Sequence, residues 1–592
     1  MAALVLLAWV VPARGQQPSG ASGGLYELSR VHRAAAARGL QPTTPRPGAR
    51  IAFIDVARED VFTADEVYPT WPNALHWLTD EVVIRRELLV DVGEPYDDKL
   101  VQESMRNLRA LGVFSLVHIL PVRGPEPGTV GLLVYTRDLW SLRLESSFAG
   151  TGEAFQATIQ VTERNLFGRD KQGTVRFDID PKAFSLGEVY YDPRFTGRKL
   201  ALTETFDVIW NRDSGETEGS QGYLSFGSPF YNLGEHWAWG MSGSYAVYVS
   251  RDLVGAEVVS FREGQGGGVV ACRTPAPDCV RSVWDSRSYA ASTSLTYRRG
   301  ERYRQSFGLR FGISDLDVQA NAETALRPGQ EALFERELLP RERRQVAPSV
   351  TYGLSLPDYA VYENLATFGQ SETVRKGPSA SASLSFPLRA FGSSSDSVLF
   401  SYGAGYVLAL DRALAEVQTS AGARLEDGAV LDQNASVLLR GATPPLWVGR
   451  LVGRASWSGR KRDSTQSQVT LGSSNGLRGY DNGAFRVVGG SRILANVEYR
   501  TLPWELSSIH VGGVLFYDVG SVYEDLGELD LHHGAGVGLR FLFPQFNRSV
   551  FRLDLGAPLD QSGFTVLLAY GSSQLVPVTA NEVTAGGGVR PR

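Results

Sequence analysis

No run of about eighteen apolar residues, the length that a membrane-spanning helix needs, occurs in the sequence. Methionine (3), cysteine (2) and histidine (7) are scarce among the 592 residues, and the formal net charge is only -5. A nearly neutral balance gives no reason to expect a nucleic-acid partner, which would need a basic surface. These shortages argue against a helical membrane protein and against a nucleic-acid-binding protein.

Motifs of enzymatic catalysis are also missing. The stretch Gly240 to Ser244 lacks the Gly-x-Ser-x-Gly spacing of a nucleophile elbow. His532-His533 stands at the start of a strand with acidic residues just before it, and a hairpin loop is favoured there over a metal pair. No phosphate-binding glycine loop is followed by Lys and Ser or Thr. We therefore expect no enzyme, no catalytic residue, no metal and no cofactor.

The two cysteines and the first residues of the chain indicate export. Cys272 and Cys279 share one loop with no histidine or further cysteine nearby, so a disulfide of an oxidising compartment is predicted. Residues 1–15 have the apolar run and small-residue cleavage site of a signal peptide, without its basic start. The alternative is a buried apolar strand. An exported chain without a spanning helix is either a soluble protein or a barrel.

Glycine (64) and aromatic residues (10%) are plentiful, as expected for many short strands joined by turns. From residue 139 to residue 570 polar and apolar residues alternate with period two, which fits a soluble sandwich or an outer-membrane barrel. Three observations favour the barrel. The hairpins continue without a domain break, long polar loops alternate with short turns, and aromatic residues cluster near strand ends.

Residues 51–138 form a separate α/β unit. Their periodicity predicts a strand at 51–56, helices at 81–89 and 99–111, and strands at 114–122 and 129–136. Residues 16–50 contain a short helical stretch and several prolines, and are interpreted as a linker. The polar residues 571–592 form a C-terminal tail after the last predicted strand.

The stretch Gly476 to Tyr480 places one arginine between two glycines, whose positive φ angles allow a tight loop. Two later strand-like segments each contain one carboxylate, Glu498 and Asp518. A carboxylate within a strand is costly unless it faces water or a cation, and a guanidinium is its best-shaped partner. Arg478 is the candidate partner. The alternative is an ordinary hairpin loop with a solvated arginine.

Leu477, Arg478, Gly479 and Tyr480 resemble the inward-loop motif of the Omp85 superfamily, which includes BamA-like and D15-type surface-antigen barrels. The resemblance implies that this loop folds into the barrel lumen, where Arg478 meets Asp518 and Glu498. Residues 163–168 and 191–195 also resemble stretches near the start of such barrels.

In the α/β unit, Ile84 to Leu88 and Leu108 to Phe114 resemble the hydrophobic signature of a POTRA domain. The resemblance implies a periplasmic domain that receives unfolded clients by adding a strand to its sheet edge. Residues 60–79 look like an insertion. The sequence contains one such domain, whereas bacterial assembly factors of the family generally have several.

The predicted fold is an all-β transmembrane barrel of about sixteen antiparallel strands, preceded by one small α/β POTRA domain. About fourteen candidate strands precede Arg478 and about five follow it. A chain that enters from the periplasm reaches an outer loop after an odd number of strands, so about eleven would match the family. Some segments between residues 286 and 439 would then be loop hairpins.

The resemblance implies an outer-membrane protein that inserts or translocates polypeptides. The first and last strands would meet at a weak seam near Gly150, Gly152 and Gly563, where a client strand could nucleate. Expected partners are unfolded outer-membrane or secreted polypeptides, outer-membrane lipid, and periplasmic or lipoprotein accessory factors. Alternatives are a dedicated secretion pore, a lipid-homeostasis factor, a passive porin-like channel, or a soluble exported β protein. The tail would occlude the seam or bind a partner.

Overall fold

The computed structural model describes residues 25–570 and residue 576, except residues 47, 65–68, 150–154, 233, 255, 265–268, 273–275, 367–370, 465–466, 507–508 and 544–549. The predicted signal peptide, Gly150, Gly152 and all of the tail except Val576 therefore lie outside the described residues. Among the described helices, none is long and apolar enough to cross a membrane.

A small α/β module comes first. Its elements are α1 (Leu25–Ala37), β1 (Arg50–Glu59), a 3-10 turn (Trp71–Leu75), α2 (Glu81–Arg85), α3 (Asp98–Ala110), β2 (Phe114–Arg123) and β3 (Thr129–Asp138). Strand β3 is central, parallel to β1 and antiparallel to β2. Helix α3 buries Val101, Met105 and Leu108 against one face of the sheet. The β-α-α-β-β order matches the one predicted for residues 51–138.

Helix α1 packs on the opposite face of this sheet. Val31 and Ala35, one helical turn apart, are buried with Leu133 and Tyr135 of β3. After the helix, the chain reaches the edge of β2, where the Arg123 amide donates to the Gln41 carbonyl at 2.8 Å. The interpretation of residues 16–50 as a linker therefore does not hold for the described part, because its apolar stripe completes the module.

Twenty antiparallel strands in the described part of the chain close into a barrel. They are β4 (Leu142–Ala149), β5 (Gln156–Glu163), β6 (Gln172–Ile179), β7 (Ala183–Asp192), β8 (Ala201–Asn211), β9 (Thr217–Ser228), β10 (Trp237–Arg251), β11 (Val283–Arg299), β12 (Arg304–Ala320), β13 (Arg343–Ser355), β14 (Ser371–Ser385), β15 (Ser397–Ala409), β16 (Leu414–Glu426), β17 (Ala429–Ala442), β18 (Gly449–Lys461), β19 (Ser491–Thr501), β20 (Ile509–Tyr523), β21 (His532–Leu542), β22 (Phe551–Pro558) and β23 (Thr565–Tyr570). Strands β13 and β19 continue past a short break as Asp358–Glu363 and Trp504–Leu506.

The predicted barrel is confirmed, but the expected strand number of about sixteen is wrong. Fifteen of the described strands precede the Arg478 loop and five follow it. The segments between residues 286 and 439 are barrel strands, because they alternate small polar residues inside with large apolar residues outside. On β15, for example, Phe400 and Tyr402 are exposed on the outer surface. The family's usual count was a poorer guide than this local alternation.

The outer surface of the barrel is apolar. On β20 and β21, Leu515, Tyr517, Val537 and Leu539 are exposed, whereas the intervening Phe516 and Asp518 are buried. A soluble sandwich would bury its apolar face, whereas a membrane barrel turns that face to lipid. Exposed aromatic residues also gather at the strand ends nearest the module: Trp237, Trp239, Tyr303, Phe307, Tyr352, Tyr406, Trp447 and Trp504. This is the position of an interfacial aromatic belt.

Candidate functional site

The loop between β18 and β19, residues 462–490, folds into the barrel lumen. Within it, Gln468–Leu471 pairs with Phe485–Val488 as a short hairpin, and the motif lies at the tip. Leu477, Arg478 and Tyr480 are at most 1% exposed. Leu477 packs against Leu471 and Leu494. A loop with buried apolar and charged residues cannot be a solvated hairpin.

All three nitrogens of the Arg478 guanidinium donate hydrogen bonds to carboxylates of the inner wall. Its Nε and Nη2 donate to the two carboxylate oxygens of Asp518 at 2.7 and 2.8 Å, and its Nη1 donates to Glu498 at 2.7 Å. Its Cζ lies 3.5 Å from the ring centroid of Phe516. The structure thus brings together the arginine and both carboxylates named from the sequence. Bidentate pairing and stacking use the shape of arginine as well as its charge.

Five further polar residues around Arg478 were missed by the sequence reasoning: Asn496, Arg500, Arg540, Arg552 and Asp554. Asp554 lies 3.5 Å from Arg478 Nη1 and accepts a hydrogen bond from Arg540 Nη1 at 2.6 Å. Arg500 Nε donates to Glu498 at 2.8 Å. Their signal was available, because each occupies an inward position of an alternating strand. With Arg478, Glu498 and Asp518 they form the lumenal cluster of four guanidinium groups, three carboxylates and one amide. Arg552 is partly buried, and the other members are buried.

Glycines allow the loop to approach the wall this closely. Gly479 has a φ of +104, and a Cβ there would lie 2.6 Å from the carbonyl carbon of Ala557. On β21, a Cβ at Gly534 would lie 2.0 Å from the carbonyl oxygen of Arg478. Both contacts involve backbone atoms, which cannot rotate away. A glycine at each position is therefore required for the loop to reach its place.

Replacing Gly534 by valine should displace the loop tip from the inner wall, while the barrel still forms. Overpacking of this kind costs on the order of 1–3 kcal/mol. Limited proteolysis of residues 462–490 should become faster. Ala535→Val is the matched control, since its side chain shares the outward face of Val537 and Leu539 on the same strand. Equal protease resistance of both variants would contradict the proposed close approach.

The loop also bridges the junction of the first and last strands. Gly479 N donates to the Thr565 hydroxyl of β23 at 3.0 Å, and Asn482 Nδ2 donates to Gln156 of β5 at 3.5 Å. The Tyr480 hydroxyl donates to Asp560, just before β23, at 2.5 Å. The loop is therefore attached to strands on both sides of that junction.

Residues 60–79, the predicted insertion, lie between the module and the barrel. His76 Nε2 lies 2.9 Å from Asp138, and Asn165 Nδ2 in the turn after β5 donates to the Trp77 carbonyl at 3.0 Å. Burial raises the pKa of the Asp138 carboxyl, against the opposing hydrogen bonds from His76 and Thr79. These contacts tie the module to the first barrel turns.

Two ion pairs also join the module to the first barrel turns. Arg194, in the turn after β7, donates to Glu87 at 2.7 Å, and Arg86 donates to Asp170 at 2.8 Å. Residues 163–168 and 191–195, the stretches that resembled the start of family barrels, thus lie in or beside the turns that hold the module.

The two cysteines and the pair His532-His533 lie in different loops and strands of the barrel. Cys272 and Cys279 form a disulfide with an S–S distance of 2.10 Å in the loop between β10 and β11. His532 Nδ1 lies 3.0 Å from Asp560, and His533 Nδ1 lies 2.7 Å from the Tyr517 hydroxyl. Among the described residues, no group of three or more potential ligands could hold a metal ion.

The closed barrel, its apolar outer belt and its inward loop define an outer-membrane type of β-barrel. Residues 445–564 match the Omp85 superfamily domain. For this segment, the resemblance inferred from the motif is therefore confirmed. The matched segment includes the inward loop, Glu498, Asp518 and Asp554. No curated protein matches the chain.

Solved structures with a similar arrangement include BamA from Haemophilus ducreyi lacking POTRA domains 1–3. It is 12% identical, with 90% of this chain and 88% of that chain covered and a TM-score of 0.35. CdiB from Acinetobacter baumannii is 12% identical, with 88% and 74% covered and a TM-score of 0.40. CdiB from Escherichia coli is 12% identical, with 88% and 77% covered and a TM-score of 0.40.

Proposed function

We propose that the protein is an Omp85-type factor of the bacterial outer membrane that inserts or translocates polypeptides, using the junction of its first and last barrel strands as a template. This junction, the seam, is the observation that carries the proposal. Within the described residues, β23 pairs with β4 only from Leu568 to Tyr570, whereas β11 pairs with β12 from Trp284 to Arg299.

A short seam matters because lipid offers no hydrogen bonds to an open strand edge. Parting three residue pairs breaks few ladder hydrogen bonds, and it exposes an edge on which a client strand can pair. The inward loop holds Thr565 and Gln156 on the two sides of the seam from within. The lumenal cluster would then fix the loop while the seam opens.

The α/β module is proposed to act as a periplasmic POTRA domain. Strand β2 is an edge of its sheet, the surface that an extended client could extend. Residues 41–43 already occupy one end of this edge, through hydrogen bonds of Arg123 and Thr43. Client addition would therefore use the part of β2 nearer Phe114. Accessory lipoproteins would find the module on the same side of the membrane.

The experiment that tests this function is the folding of a urea-unfolded outer-membrane barrel into liposomes that contain or lack the protein. Acceleration by the folded protein, and its absence with a porin of similar size, would support an insertion factor. If the protein, shown to be folded in the bilayer, gives no acceleration, general insertion is excluded.

A second candidate, a dedicated secretion pore, is favoured by the wall that β12 to β17 form. A cavity of about 540 Å³ is lined there mostly by small residues, including Ser306, Ser379, Ser381, Gly403, Gly405 and Ser420, together with Arg375, Gln418, Leu354 and Leu438. Such a wall offers few side chains that would hold a passing polypeptide. A secretion pore would release a dedicated partner across the liposome membrane without accelerating barrel folding.

A further inference from the structure

Val576, six residues beyond the last strand, is completely buried at the barrel end nearest the module. It lies in an apolar pocket, the tail pocket, formed by Tyr362, Leu365, Val374, Leu414, Ala442 and Val452. Val452 pairs directly with Glu498, so it faces the lumen on the same side as the lumenal cluster. The tail pocket is therefore on the inner wall, at the mouth that the module overlies.

The tail pocket has a fixed shape. The Tyr362 hydroxyl lies 3.0 and 3.2 Å from the carbonyl oxygens of Leu410 and Ala413, and its one hydrogen bonds to this turn between β15 and β16. The Glu372 carboxylate accepts the amides of Leu365 and Ala366, both at 3.0 Å. Hydrogen bonds within the walls thus leave an apolar recess that one branched aliphatic side chain fills.

One arginine connects this pocket to the inward loop. Arg500 Nη2 donates to the Val576 carbonyl at 2.6 Å, while its Nε donates to Glu498 at 2.8 Å. Glu498 in turn accepts from Arg478 at 2.7 Å. A buried series of charged groups therefore runs from the loop tip to a backbone carbonyl of the tail. Because a carbonyl is present in every residue, this contact does not depend on the side chain of the bound residue.

We propose that the tail pocket is a binding site for a peptide segment with a branched aliphatic residue, and that Val576 of the chain's own C-terminal tail fills it and narrows the module-side mouth. An incoming polypeptide would displace the tail, a step that rests on the proposed function. Occupancy by the tail does not depend on that function. Arg500 loses a partner when Val576 leaves, so displacement would be felt by Glu498 and the loop.

Occupancy is tested first by cross-linking in outer membranes. A Val576→Cys, Val452→Cys variant should be joined by a short bismaleimide. The matched pair Val576→Cys, Val488→Cys should not, because Val488 lies in the loop hairpin, next to the start of β19 at the opposite end of the barrel. Cross-linking of both pairs, or of neither, would overturn the assigned position of the tail.

The closing experiment measures conductance of the full chain in planar bilayers. Removal of residues 571–592, and the substitution Val576→Lys, should each raise the open-pore conductance about twofold or more, because the mouth is widened. Removal of residues 581–592 alone should leave it unchanged. A synthetic peptide with the sequence of residues 571–580 should restore the low conductance of the truncated chain, and the same peptide with lysine at the position of Val576 should not.

Unchanged conductance after removal of residues 571–592, or equal block by both peptides, would overturn the proposal. These measurements report occupancy of the pocket without a client. If the conductance results are as expected but the protein does not accelerate barrel folding, the peptide site is supported and the proposed insertion function is contradicted.

Discussion

Replacing Arg478 by alanine is expected to remove most of the proposed folding-factor activity while the barrel still assembles. The variant leaves Glu498, Asp518 and Asp554 buried around a missing cation, and breaking a buried ion pair costs about 3–5 kcal/mol. That cost is enough to release the loop from the wall. It leaves the ladder hydrogen bonds of β19, β20 and β22 in place, so the strands themselves stay paired. Client folding in liposomes measures the activity, and heat-modified gel mobility measures the barrel.

Two variants separate the shape of Arg478 from its charge. Arg478→Lys keeps a cation but loses the bidentate contact with Asp518, so we expect an intermediate activity. Arg486→Ala, in the same loop, removes a guanidinium that donates to the Leu253 carbonyl outside the cluster, and should behave like wild type. Loss of the folded barrel in Arg478→Ala would show that the cluster is structural. Full activity of that variant would exclude a role for the loop contact in insertion.

Locking the seam should stop insertion completely and reversibly. Ser147 on β4 and Ala569 on β23 are paired directly in the register. Opposed residues of antiparallel strands have Cβ atoms about 4.5–5.5 Å apart, near the separation that a disulfide spans. The variant Ser147→Cys, Ala569→Cys should therefore oxidise in the folded barrel. Its client-folding rate should fall to the level of protein-free liposomes, and reductant should restore it.

The native disulfide between Cys272 and Cys279 makes a control necessary. Reductant acts on that bond as well, so the single variant Ser147→Cys must show the same activity under both conditions. A second pair, Leu309→Cys with Val350→Cys, joins two strands far from the seam that are already paired at length, and should leave activity unchanged. If the locked seam still accelerates folding, the seam is not the template, and the secretion-pore alternative becomes the better account.

The contact between Arg478, Asp518 and Glu498 could be read from the sequence because an arginine between glycines and an acid within a strand each need an explanation. Asp554 and Arg552 stand within residues 139–570, whose alternation predicts barrel strands, yet their contact with the cluster was missed. Which strands face one another across a lumen depends on register, tilt and strand number, and a single sequence shows none of these. Neighbours across β20, β21 and β22 emerge only once the barrel is closed.

In the module, too, the local elements were predictable from the sequence, whereas contacts between distant residues were not. The order of its strands and helices followed from periodicity, because each element carries its own pattern. The place of α1 did not, since its alanine-rich stripe is only weakly apolar and its partner strand β3 follows about a hundred residues later. Similarly, residues 60–79 looked like an insertion because their partners, Asp138 and Asn165, lie at the far end of the module and in the barrel.

The attachment of the module has a mechanical consequence. Only residues 139–141 separate β3 from β4, and ion pairs of Glu87 and Arg86 fasten the module to the turns after β5 and β7. On another part of the rim, Arg106 of α3 lies 5.5 Å from the ring of Tyr359. The module is thus attached to the rim of the barrel at several separate points. A force on a polypeptide bound at β2 would therefore be transmitted to the first barrel strands, beside the seam. A flexible linker between module and barrel would not transmit it.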